Sequence, residues 1–175
     1  MRLLPALALA AVAAVIAPGA ASASPVHVIT ARGELTTYRS DLVPVGAHAH
    51  VFGVSATPGT TTALVLTGLL PGRAYGAHAH EKPCGAAGDA AGPHFQHLPD
   101  PVKPSVDPAY ANPRNEIWLD FTTDHLGTGF ARSTVDWTFG ERRARSVVVH
   151  ETHTHTGPGH AGTAGARLAC LDVDF

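Results

Sequence analysis

Twelve histidines against a single methionine, in a chain of 175 residues, is a heavy allotment of imidazole. The densest group lies in residues 76–97, GAHAHEKPCGAAGDAAGPHFQH, where His78, His80, His94 and His97 share a short span with Cys84, one of two cysteines. His78 and His80 alternate with alanine. If that run is a strand, its period of two puts both imidazoles on one face, which is how a strand offers two nitrogens to one ion. A further candidate, His150, ends the apolar run Val147-Val148-Val149. His78, His80, His94 and His150 together form an all-imidazole set. Such a set suits copper, zinc or iron, and copper(II) favours tetragonal nitrogen sites.

The elements that must position these residues read as strands. Alternation and turn residues predict eight of them, over 25–37, 43–55, 61–67, 75–81, 116–122, 129–139, 146–150 and 167–175. No window carries sustained helical periodicity with caps. The expectation is therefore all-β: an eight-stranded Greek-key β-barrel or sandwich with two long functional loops. The first loop, 82–115, is rich in Gly, Ala and Asp and carries Pro99, Pro101, Pro104, Pro108 and Pro113; the second, 151–165, is Gly-rich. The motif GAHAH also occurs at 46–50, but it runs straight on into Val51-Phe52-Gly53-Val54 with no cysteine or further histidine nearby. His48 and His50 are accordingly expected on an exposed strand face, since a pair underfills a coordination sphere.

The chain length suits one domain. Residues 1–23 have a positive start at Arg2, an apolar run from Leu3 to Ile16 and an Ala21-Ser22-Ala23 triplet, the pattern of a secretory signal peptide cut after Ala23. The run is too short and too interrupted by Pro5, Pro18 and Gly19 for a spanning helix of about 20 apolar residues. The mature domain is then 24–175, secreted or in the cell-envelope space, with no membrane span after signal removal. In that oxidising compartment the two cysteines read as one disulfide, Cys84 to Cys170. A formal net charge of −2 argues against nucleic acid as a partner.

Five blocks in order carry a resemblance: HAHE at 78–81, Cys84, GPHF around His94, VVVHE at 147–151 and GTAGARLAC at 162–170. They resemble the copper/zinc superoxide dismutases over most of residues 25–175. The resemblance implies a Greek-key β-barrel, superoxide as substrate, copper held by His78, His80, His94 and His150, and a Cys84–Cys170 bridge. It also implies Arg167 beside an open copper face as the anion-attracting group, with His94 parting from reduced copper and carrying a proton. A homodimer is possible, since many family members are dimers, although the exterior strands show no clear apolar patch in the sequence.

The chain departs from the family in two places. Between His94 and Trp118 a complete zinc set is absent; only His97, Asp100, Asp107 and Glu116 are available. The reading is copper without a zinc partner, with zinc doubtful and Glu116 as the carboxylate that orients His94 in its place. The loop after His150 lacks Asp and Lys, and its His153, His155 and His160 read as a solvated polar loop ahead of auxiliary copper sites. The alternative function is a non-catalytic copper-binding or copper-delivery protein on the same fold.

Overall fold

In the segment Gly129–Val135, GFARSTV, buried and exposed residues alternate without a break. That is the pattern of a strand with one face on a core and the other in water. The computed structural model describes residues 26–175, so the expected signal peptide at 1–23 lies outside the described residues. In chain order the strands are β1 (His27–Glu34), β2 (Thr36–Thr37), β3 (His48–Ala56), β4 (Gly59–Thr67), β5 (Ala74–His80), β6 (Phe121–Thr122), β7 (Gly129–Val135), β8 (Ser146–His150) and β9 (Arg167–Asp172). One 3-10 turn, Gly88–Ala91, lies in the first long loop, and among the described residues no helix is long and apolar enough to cross a membrane.

The strands form two antiparallel sheets, β1-β3-β4-β7 and β2-β9-β8-β5-β6. The all-β, two-layer expectation holds. The sheets do not close into a barrel, because no ladder joins β1 to β2 or β6 to β7 among the described residues. Their inner faces meet in one core, with Ile29, Val51, Leu64 and Leu66 from the first sheet against Tyr75, Ala77, Val147, Val149 and Leu168 from the second. Burial of this apolar surface is the main favourable term for the sandwich.

The expected strands 129–139 and 167–175 end early, at Val135 and Asp172, and three others change more. The first splits at buried Leu35, whose N–H bonds Ala47 O at 2.8 Å; beyond it, β2 pairs with β9 in the other sheet. The expected strand 116–122 keeps a ladder only at Phe121–Thr122, with a bridge from Trp118 to His78. Its middle is broken because the Asp120 side chain, at Oδ1, accepts the Ala77 N–H that a ladder carbonyl would take. The expected strand 43–55 begins only at His48, after a turn over the preceding residues. The exterior is also more apolar than expected: Val28, Phe52, Val54 and Phe130 stand exposed on the outer face of the first sheet. His48 and His50 share that face, exposed as expected.

Candidate metal centre

β5 is buried on both faces, and its two faces differ. Tyr75, Ala77 and Ala79 enter the sandwich core, while period-2 geometry sends Gly76, His78 and His80 to the opposite side. There the two long loops cover them. The neighbouring strand places Gly76 opposite His150 and His78 opposite Val148, so His150 joins the same outer face. Gly76 is required at this place: a Cβ would lie 2.5 Å from Thr152 O and 2.9 Å from Ala164 Cβ, where the second loop crosses. His94 arrives from the first loop through a bridge to His80. The outcome is one cluster: ligand atoms of His78, His80, His94 and His150 all lie within 4.8 Å of one another.

Hydrogen-bond partners settle the tautomers, since the polar groups around the rings have known donor capacity. Thr154 Oγ donates its only proton to Asp120 Oδ1 at 2.8 Å, so it must accept from His78 Nε2 at 2.6 Å. His80 Nδ1 faces the Gly92 carbonyl at 3.0 Å and His94 Nδ1 the Glu116 carboxylate at 2.7 Å, so both nitrogens carry protons. The lone pairs of these rings are therefore His78 Nδ1, His80 Nε2 and His94 Nε2. His78 Nδ1 is buried without a hydrogen-bond partner. An unpartnered buried nitrogen with its lone pair free is costly unless an ion meets it.

A transition metal fits this donor set. Metal–nitrogen bonds of about 2.0–2.1 Å space the ligand atoms about 2.9–4.2 Å apart. His80 Nε2 and His150 Nε2, 3.2 Å apart, are inside that range, and the widest separation of 4.8 Å needs a contraction of roughly half an ångström. Burial, reinforced by the neighbouring His94, holds His78 and His80 well below the ordinary imidazole range; burial, then His94 and Arg167, pushes His150 down to about 3. At neutral pH these three rings are uncharged, the state a metal requires.

No protein-family model matches the sequence, and no curated protein sequence matches it. Solved structures do share its architecture. A Cu/Zn superoxide dismutase from Brucella abortus aligns with a TM-score of 0.58 at 21% identity, over 85% of this chain and 99% of that one. The fold is that of the Cu/Zn superoxide dismutases. A double mutant of a SOD-like protein from Bacillus subtilis aligns at 0.56 and 17% identity, over 87% and 98% of the two chains. The clock protein EA4 aligns at 0.58 and 19%, over 91% and 99%. At these identities the likeness is one of fold, and proteins of different description share it.

Within this SOD fold, Arg167 starts β9 and borders a cleft of roughly 780 Å³ that His94, His150, Lys103 and Glu116 also line. Arg167 Nη1 donates to Gly88 O at 2.9 Å, and a Cβ on Gly88 would come within 2.6 Å of Arg167 Cβ. Partial burial lowers the guanidinium pKa somewhat, but a guanidinium remains charged at working pH. Cys84 and Cys170 form the disulfide, with Cα atoms 5.8 Å apart. The bridge packs with Ala91, Val148 and Tyr38 on the outer face of the second sheet, beside the 3-10 turn that holds Gly88.

Other candidates lie elsewhere. His97 is exposed and its ring stacks on Trp137 at 5.0 Å. His153 Nε2 bonds Phe121 O at 3.0 Å, and His155 and His160 are exposed in the second loop. Sequence reasoning missed Asp120, Thr154 and Gln96, which hold the ligands or their partners. Single polar residues in a strand and two loops carry no spacing signal.

Proposed function

We propose that this chain is an exported superoxide dismutase that works through copper held by His78, His80, His94 and His150. The observation that carries the reading is the convergence of four imidazole nitrogens, with two of the rings, His94 and His150, lining a cleft that also holds a guanidinium. A four-nitrogen set without thiolate favours copper among redox metals. Bound there, copper supplies a one-electron couple: one superoxide is oxidised to dioxygen, and a second is reduced to hydrogen peroxide with uptake of two protons.

The chain's own residues bind, orient and protonate. His78, His80 and His150 sit in the protein interior at 0–4% exposure, which keeps water from three sides. Arg167 attracts the small anion into the cleft and offers it several donors. His94 keeps its Nδ1 proton on Glu116, so Nε2 is the atom that can take or release one on the cleft side. The Cys84–Cys170 bridge suits an oxidising compartment, in keeping with a leader at 1–23. A second reading, copper binding or delivery without turnover, is favoured by the occurrence of the same fold in proteins described only as SOD-like.

Metal analysis joined to a superoxide-consumption assay on the reconstituted protein separates the two. The enzyme reading expects copper in the four-histidine site and rapid superoxide loss that disappears on copper removal. Tightly bound copper with no acceleration of superoxide loss selects the delivery reading, and no tight copper defeats both.

A further inference from the structure

On the side of His94 away from the other histidines lies a closed polar network. Glu116 accepts three hydrogen bonds: from His94 Nδ1 and Trp118 Nε1 on Oε2, each at 2.7 Å, and from Gln96 Nε2 on Oε1 at 2.8 Å. Gln96 Nε2 donates also to Ser105 Oγ at 2.9 Å, and Gln96 Oε1 accepts the Asp100 N–H at 2.9 Å. Ser105 Oγ donates to Asp100 Oδ2 at 2.7 Å, and Asp100 Oδ1 accepts the Val102 N–H at 2.8 Å. Gln96, Asp100 and Glu116 are 2%, 4% and 1% exposed. This network is what ties the proline-rich loop to the site.

A second cation beside His94 would need lone pairs where the network presents N–H bonds. His94 Nδ1 carries a proton, and both protons of the Gln96 amide point at oxygens. The remaining candidates of the loop are engaged elsewhere, with His97 stacked on Trp137 and Asp107 Oδ1 accepting the Ala109 N–H. Among the described residues, the four-histidine cluster is the one group of three or more His, Cys, Asp or Glu close enough to share an ion.

The geometry points to Gln96 as the residue that takes a second cation's place. Its carboxamide links Glu116 to the 98–105 loop and holds Glu116 Oε1 with an N–H donor, so the chain takes one transition-metal ion and no second ion on the Glu116 side. The inference rests on the copper reading only for the identity of that one ion. Gln96 is thereby a positioning residue that acts on His94 through Glu116.

The test has two arms. Protein saturated with Cu(II), incubated with excess Zn(II) and desalted should carry about one copper and no zinc per chain; stoichiometric zinc beside full copper overturns the proposal. In metal-free protein, Gln96→Ala should speed amide hydrogen exchange at Asp100 and Val102 at least tenfold, and unchanged exchange there overturns it. Gln96→Glu keeps the shape but turns an acceptor towards Glu116, and guards against a variant that merely fails to fold. It should take up one zinc per chain beside copper and regain loop protection on doing so, whereas a zinc-free variant with wild-type exchange counts against the proposal. Failure of the copper reading shows itself separately, as another metal or none in the four-histidine site, with the exchange result in metal-free protein unaffected.

Discussion

Replacing Thr154 with valine removes one oxygen at nearly constant shape and tests whether the second loop fixes the tautomer of His78. In the native chain, His78 Nε2 has Thr154 Oγ at 2.6 Å, and the ring is wholly buried. Without the hydroxyl, the Nε2–H is buried and unpaired, a cost of about 1–3 kcal/mol. Asp120 suffers less: Oδ1 keeps the Ala77 N–H at 3.2 Å and Oδ2 keeps the Thr154 N–H at 2.7 Å. The metal-free variant should therefore lose about 2 kcal/mol, or about 4–8 °C in Tm at roughly 2–4 °C per kcal/mol for a domain of this size. With no acceptor left within hydrogen-bond distance of Nε2, the nearest being Asp120 Oδ1 at 3.8 Å, the His78 proton can move to Nδ1, the nitrogen that faces the cluster. Copper affinity should fall about 10–100-fold, in line with the loss of other outer partners of ligating histidines. Chemical denaturation of the metal-free protein measures the first effect and a copper competition titration the second. Thr154→Ser, which restores the oxygen, should recover most of both. Wild-type stability together with wild-type copper affinity in Thr154→Val would refute the tautomer argument.

Metal-free stability should fall with acid. His150 has a folded pKa of about 3, depressed by burial, and an unfolded value of about 6.5. The unfolded chain thus binds more protons between those values, and stability present above pH 6.5 is lost as pH falls towards 3. Denaturant midpoints at a series of pH values read this slope, and a flat profile between pH 7 and 4 in metal-free protein contradicts it. Arg167→Leu should lower superoxide consumption about tenfold or more at low salt and flatten its ionic-strength dependence, because a small anion then loses its attracting charge; an unchanged salt profile removes Arg167 from that role. Gly88→Ala should produce a milder form of the same defect, since its Cβ displaces the Arg167 stem. Reducing Cys84–Cys170, which lie 86 residues apart, should cost about 4–5 kcal/mol by the chain-entropy model, and a denaturation midpoint indifferent to reductant would show the bridge to be dispensable.

Three of the four clustered histidines were legible because their placement follows from local periodicity, whereas His94 lies in a loop that carries no such signal. An H-x-H pair on a strand shares a face whatever surrounds it, and a histidine ending an apolar run lies at a strand terminus, where coverage changes. The all-β class was legible for the same reason, in alternation and turn residues. Strand limits were less so: a single side chain, Asp120, broke the expected strand 116–122 by taking the Ala77 N–H. Leu35 sent the end of the first strand to the other sheet because its side chain packs in the core between them.

The placement of the histidines thus marked by itself which residues could bind a metal. Only the tertiary structure decided how those groups are held. Thr154 and Asp120 meet across 34 residues to set the tautomer of His78, and Gln96, Ser105 and Glu116 converge from separate loop segments around the partner of His94. The physical reason is that coordination is a local pattern of like residues, whereas satisfying a buried ring's second nitrogen takes one polar atom in one place, and any stretch of chain that passes there can supply it. The open question of zinc in the sequence therefore rests on hydrogen-bond directions around Gln96, which exist only once the loop has folded against the sheet.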